Sequence, residues 1–293
     1  MTAATWEIVE KVDLSQHIRD LTPEEIETFR RDGVVTVPGF VSAELVAEVK
    51  QHYMDWSGIR WDEWPEDPAE QQQFIEVIER ATTGKMLFAA RQADPWIFNY
   101  VAQPKFGKAA AELVGVPAIR IVSETLHVKY PESSGHSKPL EWHQDWPHIP
   151  IDRVAAVQMW VALAPITADM GPMVHLEGSH REPPLGMLAY QGVKPEQAFP
   201  ELWERYHLTA PHDLDAGDAV FHHGLCFHAS GVNQTDRIRW GMSSYRIAAD
   251  CLYTGQPNFN TDGLGLEPFK EFDHPNFPVV WPEDPGVALG TDA

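Results

Sequence analysis

The 293-residue chain carries 22 Lys+Arg against 43 Asp+Glu, a formal net charge of −21, which repels phosphate backbones and anionic lipid surfaces and argues against nucleic acid and membrane partners. Cys226 and Cys251 are its only cysteines, and without CxxC spacing they build neither a disulfide framework nor a zinc ribbon, which fits a reducing, cytoplasmic setting. No stretch approaches the ~20 apolar residues of a membrane span, and Met1 to Asp13 lacks a signal-peptide core, so one principal soluble domain is expected.

In chain order, Thr22-Pro23-Glu24-Glu25 predicts a capping box opening a helix from Pro23 to Asp32, which Gly33 ends. Val34 to Val37 reads as a short strand, Pro38-Gly39-Phe40 as a turn, and Ser42 as the cap of a second helix running to about Trp56. Phe74, Ile75, Val77 and Ile78 amid Glu and Gln suggest a third helix, and Phe106 to Val114 a fourth. From Ala118 the texture changes to short β-type runs: Ile119 to Lys129, Val154 to Leu163, Met173 to Leu176, Asp218 to Phe221, Leu225 to Gly231 and Ile238 to Ala248. Strands without intervening helices predict a barrel or jelly roll against which the earlier helices pack. Met187 to Leu214 reads as a long loop with helical character at Pro200 to Tyr206, the sort of loop that covers a site. Gln256 to Ala293 lacks periodicity and reads as an irregular surface segment.

The chemistry begins at Glu141-Trp142-His143-Gln144-Asp145-Trp146. On a strand, residues i and i+2 share a face, so His143 and Asp145 can bind one metal ion together. A histidine from a distant strand would complete the two-histidine, one-carboxylate face of oxygen-activating iron(II) enzymes. The segment Asp218 to Asn233 offers His222, His223 and His228, with His222 and His228 on the same side by strand parity, and it leads into Arg237-Ile238-Arg239.

The sequence resembles the phytanoyl-CoA dioxygenase family of iron(II)/2-oxoglutarate oxygenases. The likeness lies in Trp142-His143-Gln144-Asp145, the block Gly171 to His180, Gly217-Asp218, and His228-x-Ser230-Gly231-x-Asn233 followed by Arg239. Leu21 to Glu25 and Pro38 to Val41 are similar to the family's opening, and the resemblance covers Leu21 to Ala248. Met170 departs from it, standing where Asn often precedes Gly-Pro. The resemblance implies a mainly β protein with flanking α: a double-stranded β-helix (jelly roll, cupin-like) with N-terminal helices packed on the major sheet. One oxygenase domain would occupy 1–255, with its jelly-roll core over about 118–250 and a helical part over about 20–117. A Pro-rich tail over 256–293 would follow. By the same resemblance the metal set is His143, Asp145 and His228, leaving His222 and His223 either structural or in support of the ligands, and the cofactors are ferrous iron, 2-oxoglutarate as co-substrate and dioxygen.

The resemblance also places 2-oxoglutarate. Arg239 would take its distal carboxylate as a bidentate pair, which guanidinium supplies and ammonium does not, with Ser230 adding a hydroxyl. Trp160, Thr125 and Gln158 would line the co-substrate pocket, and His127, Trp146, His148 and Arg246 are candidates for substrate contact. His175 and His180 are expected to hold a turn. The implied reaction releases succinate and carbon dioxide, and retention of Asp145, which halogenating relatives replace with a small residue, favours hydroxylation of a small organic molecule, with desaturation or ring formation left open. Trp142, Trp146, Trp160 and Trp240 leave open an aromatic pocket for a hydrophobic or cationic substrate, or an ordinary core. The acidic surface disfavours a coenzyme A thioester unless Arg153, Lys138 and Arg246 make a local exception. A monomer or homodimer is expected. Two rival readings stand beside this one: a jelly-roll isomerase or hydrolase holding zinc or manganese on the same ligands, and a small-molecule binding module with structural histidines.

Overall fold

The first helix, α1 (Pro23–Asp32), starts as its capping box dictates: the Glu25 N–H donates to Thr22 Oγ1 at 3.2 Å and the Thr22 N–H to the Glu25 carboxylate at 2.8 Å. The computed structural model describes residues 12–58, 63–81, 86–88, 90–188 and 192–282. Gly33, at φ 75°, closes α1 and sends the chain into β1 (Val34–Val37). There follow α2 (Ala43–Ser57), capped by Ser42, then α3 (Pro68–Ala81), β2 (Met86–Phe88), α4 (Ala90–Ala93), α5 (Pro95–Val101) and α6 (Pro104–Val114). Periodicity anticipates α1, α2, α3 and α6. The short α4 and α5 escape it because fewer than two or three turns show no repeat.

Beyond α6 the chain is mainly strand: β3 (Ile119–Lys129), β4 (Leu140–His143), β5 (Ala156–Ala162), β6 (Met173–Glu177), β7 (His207–Leu208), β8 (Ala219–His223), β9 (His228–Ser230), β10 (Arg239–Ala248) and β11 (Val279–Trp281). The major sheet runs β1-β8-β5-β10-β3-β11 with β2 also on β3, and the minor sheet runs β4-β9-β6-β7. Every pairing among the described strands is antiparallel. The expected strand over Leu225 to Gly231 is shorter than predicted, because Gly224 and Leu225 form a turn and only β9 enters the ladder.

Alternation across the major sheet divides the molecule. Val157, Met159, Val161, Phe221, Trp240 and Met242 face the helices and join Phe29, Val49, Ile97 and Phe106 in the largest core, while the intervening residues face the barrel interior. The helical character expected at Pro200 to Tyr206 is α8 (Glu201–Arg205); the same segment also holds α7 (Pro195–Ala198) and β7, and Leu202 packs on Leu176 and Phe227 outside the minor sheet. The segment after 256 is not wholly irregular: β11 pairs with β3, and Phe272 and Phe277 are buried because the Arg120 guanidinium donates to both their carbonyls at 2.6 Å. Residues 1–11 and 283–293 lie outside the described residues.

Candidate active site

His143 ends β4 and lies opposite His228, the first residue of β9, in the β4–β9 register. Asp145 does not continue the strand as the i, i+2 argument supposes. Its backbone is right-handed helical (φ −75°, ψ −36°) and it begins a 3-10 turn over Trp146–His148. That turn, fixed by the Trp146 N–H donating to the Gly224 carbonyl at 2.8 Å, swings the carboxylate back toward both imidazoles. Ligand atoms of His143, Asp145 and His228 all lie within 4.8 Å of one another.

Each imidazole has its tautomer set by the backbone. His143 Nδ1 lies 2.7 Å from the Glu141 carbonyl and His228 Nδ1 3.0 Å from the Cys226 carbonyl. A carbonyl only accepts, so both Nδ1 atoms carry a proton and both Nε2 atoms face Asp145 Oδ1, at 3.5 and 3.7 Å. Burial opposes ionisation of Asp145, yet the imidazoles of His228, His143 and His222 hold its carboxyl well below the usual carboxylate range. Burial, followed by the charge of His222, keeps His228 well below the usual imidazole value and so neutral. At His143 burial favours the neutral ring, but the hydrogen bond and charge of Asp145 raise its pKa above the usual imidazole value, so a divalent metal would displace a proton there as it binds.

These residues lie in a cavity of about 390 Å³ whose wall includes Thr125, Gln158, Trp160, Ser230 and Arg239. All five expected co-substrate residues therefore meet beside the histidines. Gly171 and Gly231 bring the turn before β6 against the turn after β9: a Cβ on Gly171, at φ 63°, would run into the backbone of Gly231 and Val232. This approach delivers the Gly171 carbonyl to the Arg239 guanidinium. Arg239 stacks over Trp160 with 5.5 Å to the ring centroid, and burial alone lowers its pKa to about 10. Its Nε–H is buried with no hydrogen-bond partner, and among the described residues no carboxylate pairs with it. A buried cation with a spare donor fits an incoming carboxylate.

Of the substrate candidates, His127 and His148 line the cavity. His127 is within 2.8 Å of Ser243 Oγ, and burial, then the Arg239 charge, push its pKa down to about 3. Trp146 and Arg246 do not line it. The Trp146 Nε1–H donates to the Arg153 carbonyl at 2.9 Å, which turns the ring toward the Ile149 and Tyr253 core. Arg246 points to the helical side of the sheet, donating to the Val101 carbonyl at 2.9 Å. The aromatic-pocket reading is likewise reduced to Trp160: Trp240 packs with the helices and Trp142 outside the minor sheet. His175 holds no turn; it sits on β6 against His222. His180 stacks on His223 at 5.5 Å.

Some neighbours of the site escape sequence reasoning. Lys129, opposite Arg239 on β3, donates to Ser230 Oγ at 2.7 Å and to the Gly231 carbonyl; a lysine ending a strand carries no mark separating it from a solvated one. Phe259 and Asn260 reach the cavity from the C-terminal segment, placed by the Asn258 amide donating to the His148 carbonyl at 2.6 Å. Met170, the departure from the family pattern, is buried with its sulfur 3.4 Å from an Arg237 nitrogen.

A jelly roll with two imidazoles, a carboxylate and a buried guanidinium inside its barrel belongs to the class of cupin-like metalloproteins. The phytanoyl-CoA dioxygenase family model matches residues 29–241, and the chain belongs to that family. It is 29% identical over 209 residues to peroxisomal phytanoyl-CoA dioxygenase from Homo sapiens, covering 66% of this chain and 60% of that protein. To a probable phytanoyl-CoA dioxygenase from Caenorhabditis elegans it is 26% identical over 198 residues, covering 61% and 58%. The chain thus spans less than two thirds of the length of these curated relatives. Among solved structures, the non-heme alpha ketoglutarate dependent carbocyclase SnoK from nogalamycin biosynthesis shares the fold with a TM-score of 0.70 at 22% identity, covering 88% of this chain and 96% of that one. EctD from S. alaskensis, crystallised with 2-oxoglutarate and 5-hydroxyectoine, shares it with a TM-score of 0.62 at 22% identity, covering 81% and 82%. Among the described residues, no helix is long and apolar enough to cross a membrane.

Proposed function

We propose that the chain is an Fe(II)- and 2-oxoglutarate-dependent dioxygenase that hydroxylates an unactivated C–H bond of a small organic molecule. His143, Asp145 and His228 hold the metal, and Arg239 with Ser230 grips the distal carboxylate of 2-oxoglutarate against the Trp160 wall. The observation that carries this reading is one cavity holding both the convergent ligand set and a buried guanidinium with an unpartnered N–H. Family membership and a structural neighbour crystallised with 2-oxoglutarate support it. A non-redox metalloenzyme leaves Arg239 without a purpose, and a plain binding module leaves the ligand set without one.

When bound, iron and 2-oxoglutarate supply oxidative decarboxylation to succinate and carbon dioxide, with dioxygen oxidising the substrate. The chain's residues supply the rest. His143 and His228 present lone pairs because backbone carbonyls fix their protons on Nδ1, and Thr125, Gln158 and Trp160 shape the wall beside the anion site. His127, kept neutral by burial, and His148 face the substrate side. Arg239 is the only Lys or Arg among the described lining residues, and Pro139, Leu140, Ile149 and Phe259 give the remaining wall an apolar character. That supports an uncharged or cationic apolar substrate over a polyanionic thioester. Anaerobic titration with iron(II) and then 2-oxoglutarate tests the reading: a visible charge-transfer band is expected, and its absence in the wild type overturns the proposal. A substrate screen that follows succinate release above the uncoupled background then identifies the substrate.

A further inference from the structure

His222 sits on β8 opposite Gln158 of β5 and points into the barrel. It is 1% exposed, and its Nε2 lies 3.0 Å from Asp145 Oδ2. The two ligand imidazoles approach the other oxygen, Oδ1, so the oxygens of one carboxylate have different neighbours. We infer that His222 is a positioning residue for this carboxylate: by occupying Oδ2 it reserves Oδ1 for the metal and holds Asp145 to a single point of attachment. The inference rests on the reading of His143, Asp145 and His228 as ligands.

The hydrogen-bond chain gives it direction. An ionised carboxylate only accepts, so His222 Nε2 carries a proton directed at Oδ2. His175 Nε2 lies 3.4 Å from His222 Nδ1 and backs the His222 ring from behind. An Nε2 that donates to Asp145 cannot also bind a metal, and His222 is outside the group of mutually close ligand atoms. The consequence follows from coordination number. A carboxylate with a free second oxygen can close onto the ion with both oxygens, whereas this ligand face works only if three positions stay open. Partners of this kind typically contribute ~10–100-fold in metal affinity. Phe221 and His223, on either side of His222 in sequence, alternate to the opposite face, where Phe221 joins the helical core and His223 stacks on His180.

The test compares wild type with His222→Phe and with His222→Gln, whose amide can still donate to Oδ2. Three readouts are taken: anaerobic iron(II) affinity, the energy of the iron(II)·2-oxoglutarate absorption band, and nitrogen NMR of histidine-labelled, metal-free wild type. The inference expects His222→Phe to bind iron ~10–100-fold more weakly with a shifted band, and His222→Gln to recover most of the loss. It expects the metal-free wild type to show a slowly exchanging Nε2–H at His222. Wild-type iron affinity and band in His222→Phe overturn it. So does an unprotonated Nε2 in the NMR spectrum, a result that decides the matter even if His222→Phe does not fold. A wild type without any band fails differently, since it removes the ligand assignment beneath the inference.

Discussion

Arg239 and Arg246 lie on the same strand, β10, and both are buried, yet they meet opposite surroundings. Each keeps a buried Nε–H without a hydrogen-bond partner, but Arg239 faces the barrel, where it lines the cavity and stacks on Trp160. Arg246 faces the helices, where it donates to the Val101 carbonyl and to Ser244, and lies over Phe106 with 5.5 Å to the ring centroid. Strand alternation alone separates a guanidinium available to a ligand from one absorbed into packing. The inner face of the major sheet is therefore built for binding and the outer face for stability, and substitutions on the two faces should move different observables.

The largest effect is expected inside. Asp145→Ala removes the anionic member of the ligand set, so iron(II) with 2-oxoglutarate should give no charge-transfer band and turnover should fall to background. Next comes Arg239→Lys, which keeps the charge but loses the fork; with a hydrogen bond to a charged group contributing about 1.5–3 kcal/mol, the KM for 2-oxoglutarate should rise roughly 10- to 100-fold with little change in Tm. Arg246→Ala should do the reverse. It leaves a cavity and an unpaired Val101 carbonyl, costing about 2–4 kcal/mol, read by denaturant unfolding, while the KM for 2-oxoglutarate in the folded fraction stays within twofold. Equal effects of the two arginine substitutions on KM would erase the contrast between the faces.

A smaller, mixed effect is expected at Gly241. A Cβ there would fall inside the Trp160 ring, so Gly241→Ala must push Trp160 out of its stack on Arg239. The KM for 2-oxoglutarate should rise severalfold and Tm should fall, and an unchanged KM would show that Trp160 plays no part in the anion site. The smallest effect concerns acid. Burial, followed by the charges of His180 and His222, lowers the His223 pKa from 6.5 to about 4. Its folded-state value is below its unfolded one, so its stabilising contribution is complete above about pH 6.5 and is lost as pH falls toward 4. Thermal melts of the metal-free protein across that window should show a Tm decline that is shallower in His223→Gln.

α1 and α2 are legible in the sequence because a capping box at Thr22, a capping serine at Ser42 and an αL glycine act within a few residues, and β3, β5, β8 and β10 because alternation is a local signal. His143, Asp145, His228 and Arg239 come into one neighbourhood only through the family likeness, since nothing local joins β4 to β9. The i, i+2 strand argument for His143 and Asp145 does not describe how they meet: the turn that brings Asp145 round depends on the distant Gly224 carbonyl. Trp146 lies in that same turn, so the direction of its ring also depends on remote contacts. Arg246 is an odd number of residues from Arg239 on β10, so alternation already puts it on the other face from the cavity. Lys129 was not legible, and of the Asp145–His222–His175 chain only the parity that sets His222 on the side of His228 was, because the contacts themselves run across strands that only the folded barrel brings together.

The stretch after the last barrel strand has two duties. It closes the β3 margin through β11 and the Arg120 guanidinium, and it sets Phe259 and Asn260 at the cavity mouth. Shortening or lengthening the chain there would bare unpaired backbone on a sheet margin and reshape the doorway at once, so among such variants selectivity and resistance to aggregation should vary together.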